Sequence, residues 1–241
     1  GRDYLAAKKE ADAFDSLSKL AADYAEEKAP ADLTESAGET TDQEKAAEWA
    51  ELLKEAAGYA ALKNENPDYV GWIRIPDTRI DYPVVDRESD PEYYLHRAFD
   101  GSKSFGGTPF LGEASGVDTK CLIIYGHNMK NLSMFGSLKK YKTEDFYKDH
   151  QFFTIYTSEC AYRYQIFAYY DVPETDEVYT VGFAPDDTFQ KFIDKMKQKS
   201  YDDTGVNVTK DDHIMTLSTC STTGKRFVVH AVRIGEHALE K

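Results

Sequence analysis

The sequence predicts a mostly β protein, either a closed barrel or a sandwich, preceded by a helical segment. Aromatic residues make up 13% of the 241 residues, including 17 Tyr and 13 Phe, and aromatic side chains favour strands and half-buried sheet faces. After residue 64, short runs of strand-forming residues follow one another with few helical patterns between them. Residues 1–63, by contrast, are rich in Ala and contain neither Ile nor Val, which indicates helix.

The N-terminal segment is predicted to form two helices, because its apolar residues recur at helical spacing in two stripes. The first stripe comprises Phe14, Leu17, Ala21 and Tyr24, and the second comprises Trp49, Leu52, Leu53, Ala56 and Ala60. Each stripe would give its helix one apolar face that has to be buried against a neighbour.

A loop is predicted between these helices, since residues 26–43 hold Pro, Gly, Ser and Thr with little apolar content. Thr41 and Glu44 have the spacing of a capping box and predict the start of the second helix. The segment 1–63 has too few large apolar side chains for a core of its own. We therefore expect it to pack against a separate domain formed by residues 64–241.

Strands are predicted throughout that second domain, with turn residues such as Pro76-Asp77, Gly106-Gly107 and Gly224 between them. The predicted strands cover residues 70–75, 79–85, 108–111, 121–125, 152–157, 161–170, 214–219 and 227–234. Helical patterns intervene at residues 133–141, 143–150 and 188–199. Many short strands with few helices favour a barrel or a sandwich over a doubly wound sheet.

The distribution of charged residues argues against nucleic-acid binding and against a membrane-spanning segment. The chain carries 29 basic and 43 acidic side chains, a net charge of −14, whereas broad electrostatic binding of nucleic acid needs a basic face. The longest run without a charged residue is 213–224, at 12 residues, and a membrane-spanning helix needs about 20 apolar residues. No stretch of this sequence is therefore predicted to span a bilayer.

Cys220 is the cysteine whose position best suits a reactive thiol. It directly follows the predicted strand 214–219, beside a turn rich in Ser and Thr, where a substrate could reach it. Cys121 and Cys160 lie in or beside strand-like runs and are predicted to be small buried residues. No CxxC pair exists, so a zinc ribbon or a thioredoxin-type redox site is excluded.

His127 is the candidate partner for that thiol, because a cysteine nucleophile needs an acid or base, usually His. It follows the apolar strand 121–125 through Gly126, and a strand end is a rigid place from which to present an imidazole. His230 alternates with valines on one strand face, which predicts a packed or surface side chain. No HExxH motif or other metal-ligand spacing of histidines is present, so a metal hydrolase is not expected.

Arg226 is the third candidate, since it opens the last predicted strand six residues after Cys220. Neighbouring strands could bring its guanidinium beside the thiol, where its fixed donors would suit a developing oxyanion.

Four strings of residues, in the order and rough spacing of one family, resemble class B sortases. These strings are 66–73 (NPDYVGWI), 125–129 (YGHNM), 216–220 (TLSTC) and 225–229 (KRFVV). The strings 81–85 (DYPVV) and 93–96 (YYLH), with the helix 188–199 before the Cys strand, add the class B pattern. The resemblance covers residues 64–234 and implies an eight-stranded closed β-barrel with peripheral helices and extra N-terminal helices.

The resemblance also implies roles for particular residues. Cys220 would be the nucleophile, His127 the general acid and base, and Arg226 the cation that stabilises the oxyanion or orients the substrate. Four further residues match positions that line the groove for the sorting peptide in class B enzymes. They are Leu95, Ser218, Tyr179 and Thr180.

As the resemblance implies, the reaction would be transpeptidation at the extracellular face of the membrane of a Gram-positive bacterium. The enzyme would cleave an NPxT-type C-terminal sorting signal of a secreted surface protein after Thr, through a thioacyl intermediate. It would then transfer that protein to an amine of peptidoglycan or of its lipid-linked precursor. No cofactor and no metal is expected, and a membrane anchor is expected to precede Gly1.

Two other functions are compatible with these residues, and a third is disfavoured. A class B-type pilus polymerase would use a pilin lysine as acceptor, and a non-catalytic barrel could bind peptides without cleaving them. A papain-like protease is disfavoured, because its Cys should precede its His in the chain, whereas here His127 precedes Cys220.

Overall fold

The computed structural model describes residues 1–28, 43–220 and 223–239, and its central element is a closed eight-stranded barrel. The strands are β1 (Tyr69–Arg74), β2 (Asp81–Val85), β3 (Phe110–Leu111), β4 (Cys121–Tyr125), β5 (Phe152–Thr157), β6 (Cys160–Pro173), β7 (Ile214–Cys220) and β8 (Lys225–Ala238). Their order is β1-β2-β3-β4-β7-β8-β6-β5, and β5 closes on β1. All the predicted strands are present, and the closed barrel is confirmed over the sandwich.

The pairing of β4 with β7 determines where the strand ends meet. These two strands are parallel, with Tyr125 alongside Ser218, so their carboxyl ends lie at the same end of the barrel. The neighbouring β7–β8 pair is antiparallel, so the start of β8 lies at that end as well.

Strands β6 and β8 are longer than the sequence predicted, because they pair with each other along almost their whole length. The ladder runs from Cys160 opposite Ala238 to Pro173 opposite Lys225. The sequence prediction stopped earlier because the strand ends contain polar and turn-forming residues. Backbone pairing between the two strands offsets that weak local preference.

The helices of the described residues are α1 (Arg2–Lys28), α2 (Gln43–Ala61), α3 (Glu144–Asp149) and α4 (Asp187–Lys199). Short 3₁₀ turns cover Leu62–Asn64, Tyr93–His96, Gly136–Lys142 and Glu177–Tyr179. The helical pattern predicted over 133–141 corresponds to a 3₁₀ helix at Gly136–Lys142 and not to an α-helix. Leu138 and Tyr141 are three residues apart and both buried, and a 3₁₀ helix places such residues on one side.

Apolar side chains fill the barrel and also cover part of its outside. Ile73, Ile155, Ile166 and Leu217 are almost fully buried in one core cluster. On the outside, α4 buries its apolar residues against the sheet formed by β6 and β8. These α4 residues are Phe189, Phe192, Ile193 and Met196.

The N-terminal helices lie against the barrel. The rings of Phe14 on α1 and Tyr82 on β2 meet edge to face, with centroids 5.0 Å apart. Tyr59 on α2 stacks on Trp72 of β1 at 4.9 Å. The division of the chain at residue 63 stays a prediction, and the predicted loop and Thr41 capping box lie largely outside the described residues.

Helices α1 and α2 approach each other closely at Gly58. A Cβ atom at this position would overlap the backbone carbonyl of Ala21 on α1. Glycine therefore allows a helix contact that any larger residue would push apart. None of the described helices is both long enough and apolar enough to cross a bilayer.

Candidate active site

A cleft of about 630 Å³ lies at the end of the barrel where β4 and β7 finish. Its walls come from the ends of β3, β4 and β7, the start of β8, and the segments 91–95 and 174–179. The cleft is lined in part by Leu95, His127, Tyr179, Ser218 and Arg226.

Strand register brings the three predicted catalytic residues to this end of the barrel. Cys220 is the last residue of β7 and pairs directly with Arg226 of β8. The backbone N–H of Gly126 donates to the Ser218 carbonyl at 3.1 Å, which places His127 next to the end of the β4–β7 ladder. The side chain of Cys220 lies outside the described part of the structure.

His127 is half-buried and held by a backbone carbonyl. Its Nε2 lies 2.6 Å from the carbonyl oxygen of Leu95. Because a carbonyl only accepts hydrogen bonds, Nε2 carries the hydrogen, and Nδ1 is left to exchange protons. The ring also stacks on His96, with centroids 5.1 Å apart.

The surroundings of His127 favour its neutral form. Burial lowers the pKa of this imidazole below its ordinary value, and the neighbouring His96 lowers it further. The Leu95 carbonyl and the carboxylate of Glu10 act in the opposite direction.

Arg226 lies in the cleft wall and forms an ion pair with Glu174, whose carboxylate oxygen is 3.2 Å from the guanidinium. Its side chain is 27% exposed, while the adjacent Lys225 is exposed. A guanidinium has five N–H donors, so the Glu174 pair leaves donors for a ligand in the cleft.

The predicted groove residues are only partly brought together. Tyr179 Oη and Ser218 Oγ lie 2.8 Å apart and share a hydrogen bond, and Leu95 lines the same cleft. Burial raises the pKa of Tyr179 to about 12, so the phenol stays protonated. Thr180, by contrast, is exposed at the end of the Glu177–Tyr179 turn and does not line the cleft.

Phe110, Tyr125 and Glu174 are among the residues of the cleft that the sequence analysis missed. Phe110 and Tyr125 have ring centroids 5.6 Å apart, and Tyr125 stacks on Tyr179 at 5.9 Å, so the three rings form an aromatic row. Tyr125 could have been found, because it begins the string that contains His127. Glu174 carries no such signal, since it is one of 43 acidic residues and meets Arg226 only through the fold.

The other cysteines and His230 behave as structural residues. Cys121 and Cys160 are buried free thiols, and burial raises the pKa of Cys121 to about 12, which keeps it protonated. His230 is fully buried, 2.8 Å from both Thr216 Oγ1 and Tyr170 Oη. Of the two alternatives for His230, the packed one is therefore correct.

Comparison with known proteins agrees with this geometry. The Sortase domain family model matches residues 73–234. Sortase B of Listeria monocytogenes is 40% identical over 164 residues, which cover 67% of this chain and 66% of the relative, just under two thirds of its length. Sortase B of Staphylococcus aureus is 33% identical over 180 residues, covering 72% and 73% of the two chains.

Solved structures give the same result. A Staphylococcus aureus sortase B–substrate complex superposes with a TM-score of 0.69 at 33% identity, covering 73% of this chain and 84% of that one. Sortase B from Bacillus anthracis, in complex with AAEK1, gives 0.68 at 36% identity, covering 74% and 84%. The barrel, with the Cys, His and Arg positions together at one end, is that of the sortase class of cysteine transpeptidases. The chain belongs to the sortase family, in its sortase B branch.

Proposed function

We propose that this chain cleaves an NPxT-type sorting signal after Thr and transfers the attached protein to an amine of the cell wall. The observation that carries this proposal is the placement of His127, Arg226 and the Cys220 strand position around one cleft. The residues 64–241 would form the catalytic domain, with 1–63 as a supporting helical segment.

In the first half of the reaction, Cys220 attacks the carbonyl carbon of the Thr in the sorting signal. The proton of the Cys220 thiol passes to Nδ1 of His127. As the C–N bond breaks, the released amine takes this proton from Nδ1. A thioester between Cys220 and the Thr carbonyl remains. His127 is well placed for this transfer because Leu95 fixes the other ring nitrogen.

In the second half, an amine acceptor attacks the thioester and gives up a proton to His127. The new amide forms, the C–S bond breaks, and Nδ1 of His127 passes that proton to the departing sulfur of Cys220. The thiol is thereby regenerated with no redox step or cofactor. Arg226 donates hydrogen bonds to the carbonyl oxygen while negative charge develops on it in both halves.

The cleft walls would hold the peptide on either side of the scissile bond. The aromatic row of Phe110, Tyr125 and Tyr179 offers apolar surface, and the Tyr179–Ser218 pair offers hydroxyl groups. The Staphylococcus aureus sortase B was solved as a complex with a substrate, which supports substrate binding by this chain as well. The proposed partners are secreted surface proteins and peptidoglycan or its lipid-linked precursor, met at the outer face of the membrane.

The test is incubation with a panel of NPxT-type peptides and amine acceptors, read by mass spectrometry. We expect Cys220→Ala to abolish cleavage and the thioacyl adduct, because no other thiol in the described residues is accessible. Cys121→Ala and Cys160→Ser serve as matched controls and should retain activity. Turnover by Cys220→Ala would reject the mechanism, and transfer only to a pilin lysine would replace the cell-wall acceptor.

A further inference from the structure

The carbonyl that binds His127 belongs to a segment, residues 95–107, that is held from outside the barrel by α1. Glu10 of α1 accepts a hydrogen bond from Ser104 Oγ at 2.6 Å. The same carboxylate lies 3.4 Å from the backbone nitrogen of Gly106, which also donates to it. Glu10 is thus attached to this segment at two points.

From Ser104, backbone and ring contacts lead directly to His127. The Ser104 N–H donates to the His96 carbonyl at 3.0 Å, and the His96 ring stacks on His127. The preceding carbonyl, that of Leu95, accepts from His127 Nε2. A displacement of Ser104 would therefore act on both neighbours that orient the imidazole.

A second close contact constrains the same segment at Gly107. Gly107 has a φ of +63°, and a Cβ atom there would overlap the carbonyl oxygen of Leu95. Close backbone contact at Gly107 and the Glu10 contacts both constrain the same short segment. The orientation of the Leu95 carbonyl thus depends on the Gly107 contact and on the Glu10 hydrogen bonds.

We propose that Glu10 is a positioning residue for His127, acting through Ser104 and the Leu95–His96 backbone. The inference rests on the proposed role of His127 as general acid and base. It goes further by assigning an N-terminal helix, remote from β4 and β7 in sequence, a part in aligning the reacting groups.

Glu10 also contributes charge. Its carboxylate raises the pKa of His127 and so opposes burial and the nearby His96. The charged groups that line the cleft itself are Glu92, Glu113, Glu174, Asp176 and Arg226. Because Gln can still accept from Ser104, Glu10→Gln separates the effect of charge from that of position.

The experiment measures kcat and KM for one sorting peptide across pH, together with an NMR titration of the His127 ring. Glu10→Ala and Ser104→Ala should each lower kcat by about 10- to 100-fold with little change in KM, since small misplacements of a catalytic group are costly. Glu10→Gln should keep its maximal kcat, but the His127 titration and the matching limb of the pH profile should move to lower pH.

Asp12→Asn is the matched control, because it removes one carboxylate from an exposed position of the same helix. It should leave kcat and the titration unchanged. A Glu10→Gln protein with an unshifted His127 titration and a Ser104→Ala protein with normal kcat would overturn the inference, even where Glu10→Ala fails to fold. An active His127→Ala protein would instead reject the proposed function itself.

Discussion

Arg226 and Lys225 are adjacent cations on β8 that have different surroundings. Arg226 pairs with Cys220 in the ladder and lines the cleft, whereas Lys225 is exposed opposite Pro173. Successive strand residues face opposite sides of a sheet, so only one of the two is placed to meet the substrate. The planar guanidinium can hold a carbonyl oxygen with two donors, which a lysine ammonium does not reproduce.

We therefore expect Arg226→Lys to lose turnover on the order of 100- to 1000-fold, the usual cost of an oxyanion donor. Lys225→Ala should be nearly silent. Steady-state kinetics of both proteins with one sorting peptide would check this. Normal turnover by Arg226→Lys together with reduced turnover by Lys225→Ala would contradict both the register argument and the role given to Arg226.

At the scale of elements, the α1–α2 contact depends on Gly58, whose Cβ position is occupied by the Ala21 carbonyl. In an isolated helix, Gly→Ala stabilises by about 1 kcal/mol, but overpacking a close contact costs about 1–3 kcal/mol. A backbone carbonyl cannot rotate away as a side chain can, so we expect Gly58→Ala to lower the melting temperature.

The shift should be a few degrees, since about 1 kcal/mol corresponds to about 2–4 °C in a chain of this size. Lys54→Ala, at an exposed position of the same helix, is the control. A rise in the melting temperature of Gly58→Ala would mean that only the higher helix propensity of Ala affects stability at this position. In that case α1 would not pack on α2 in solution.

The elements predicted from sequence were those with local signals. Short runs of strand-forming residues identified every strand, and the string around His127 located the end of β4. Pairing of residues far apart in the chain left no such signal. Glu10 and Ser104 are 94 positions apart, and Glu174 meets Arg226 only because β6 and β8 pair along their length. Thr180 is the opposite case. Its position matches the family pattern, but its side chain is exposed and does not line the cleft.

For the whole molecule, buried His230 predicts how stability depends on pH. Burial lowers the pKa of His230 to about 3 in the folded protein, against about 6.5 in an unfolded chain. The unfolded state therefore binds a proton first as the pH falls. The contribution of neutral His230 to the free energy of unfolding is intact above about pH 6.5. Below that pH it declines by up to about 1.4 kcal/mol per pH unit, down to about pH 3.

We expect His230→Gln to be less stable at pH 7 but to lose stability less steeply between pH 6 and pH 4. Denaturant unfolding at several pH values would measure both slopes. The wild-type protein in the same buffers gives the reference slope. Equal slopes for wild type and His230→Gln would show that His230 is not the group responsible.

The position of β7 between β4 and β8 has a mechanical consequence. A thioester at Cys220 would tie the attached protein to the last residue of this strand, so a pull along the strand axis would act on β7 as a whole. That strand is bonded on one side from Cys121–Ile214 to Tyr125–Ser218, and on the other from Ile214–Val232 to Cys220–Arg226. Tension would thus load many hydrogen bonds in shear at once, and the acyl-enzyme would resist being unravelled by its own cargo.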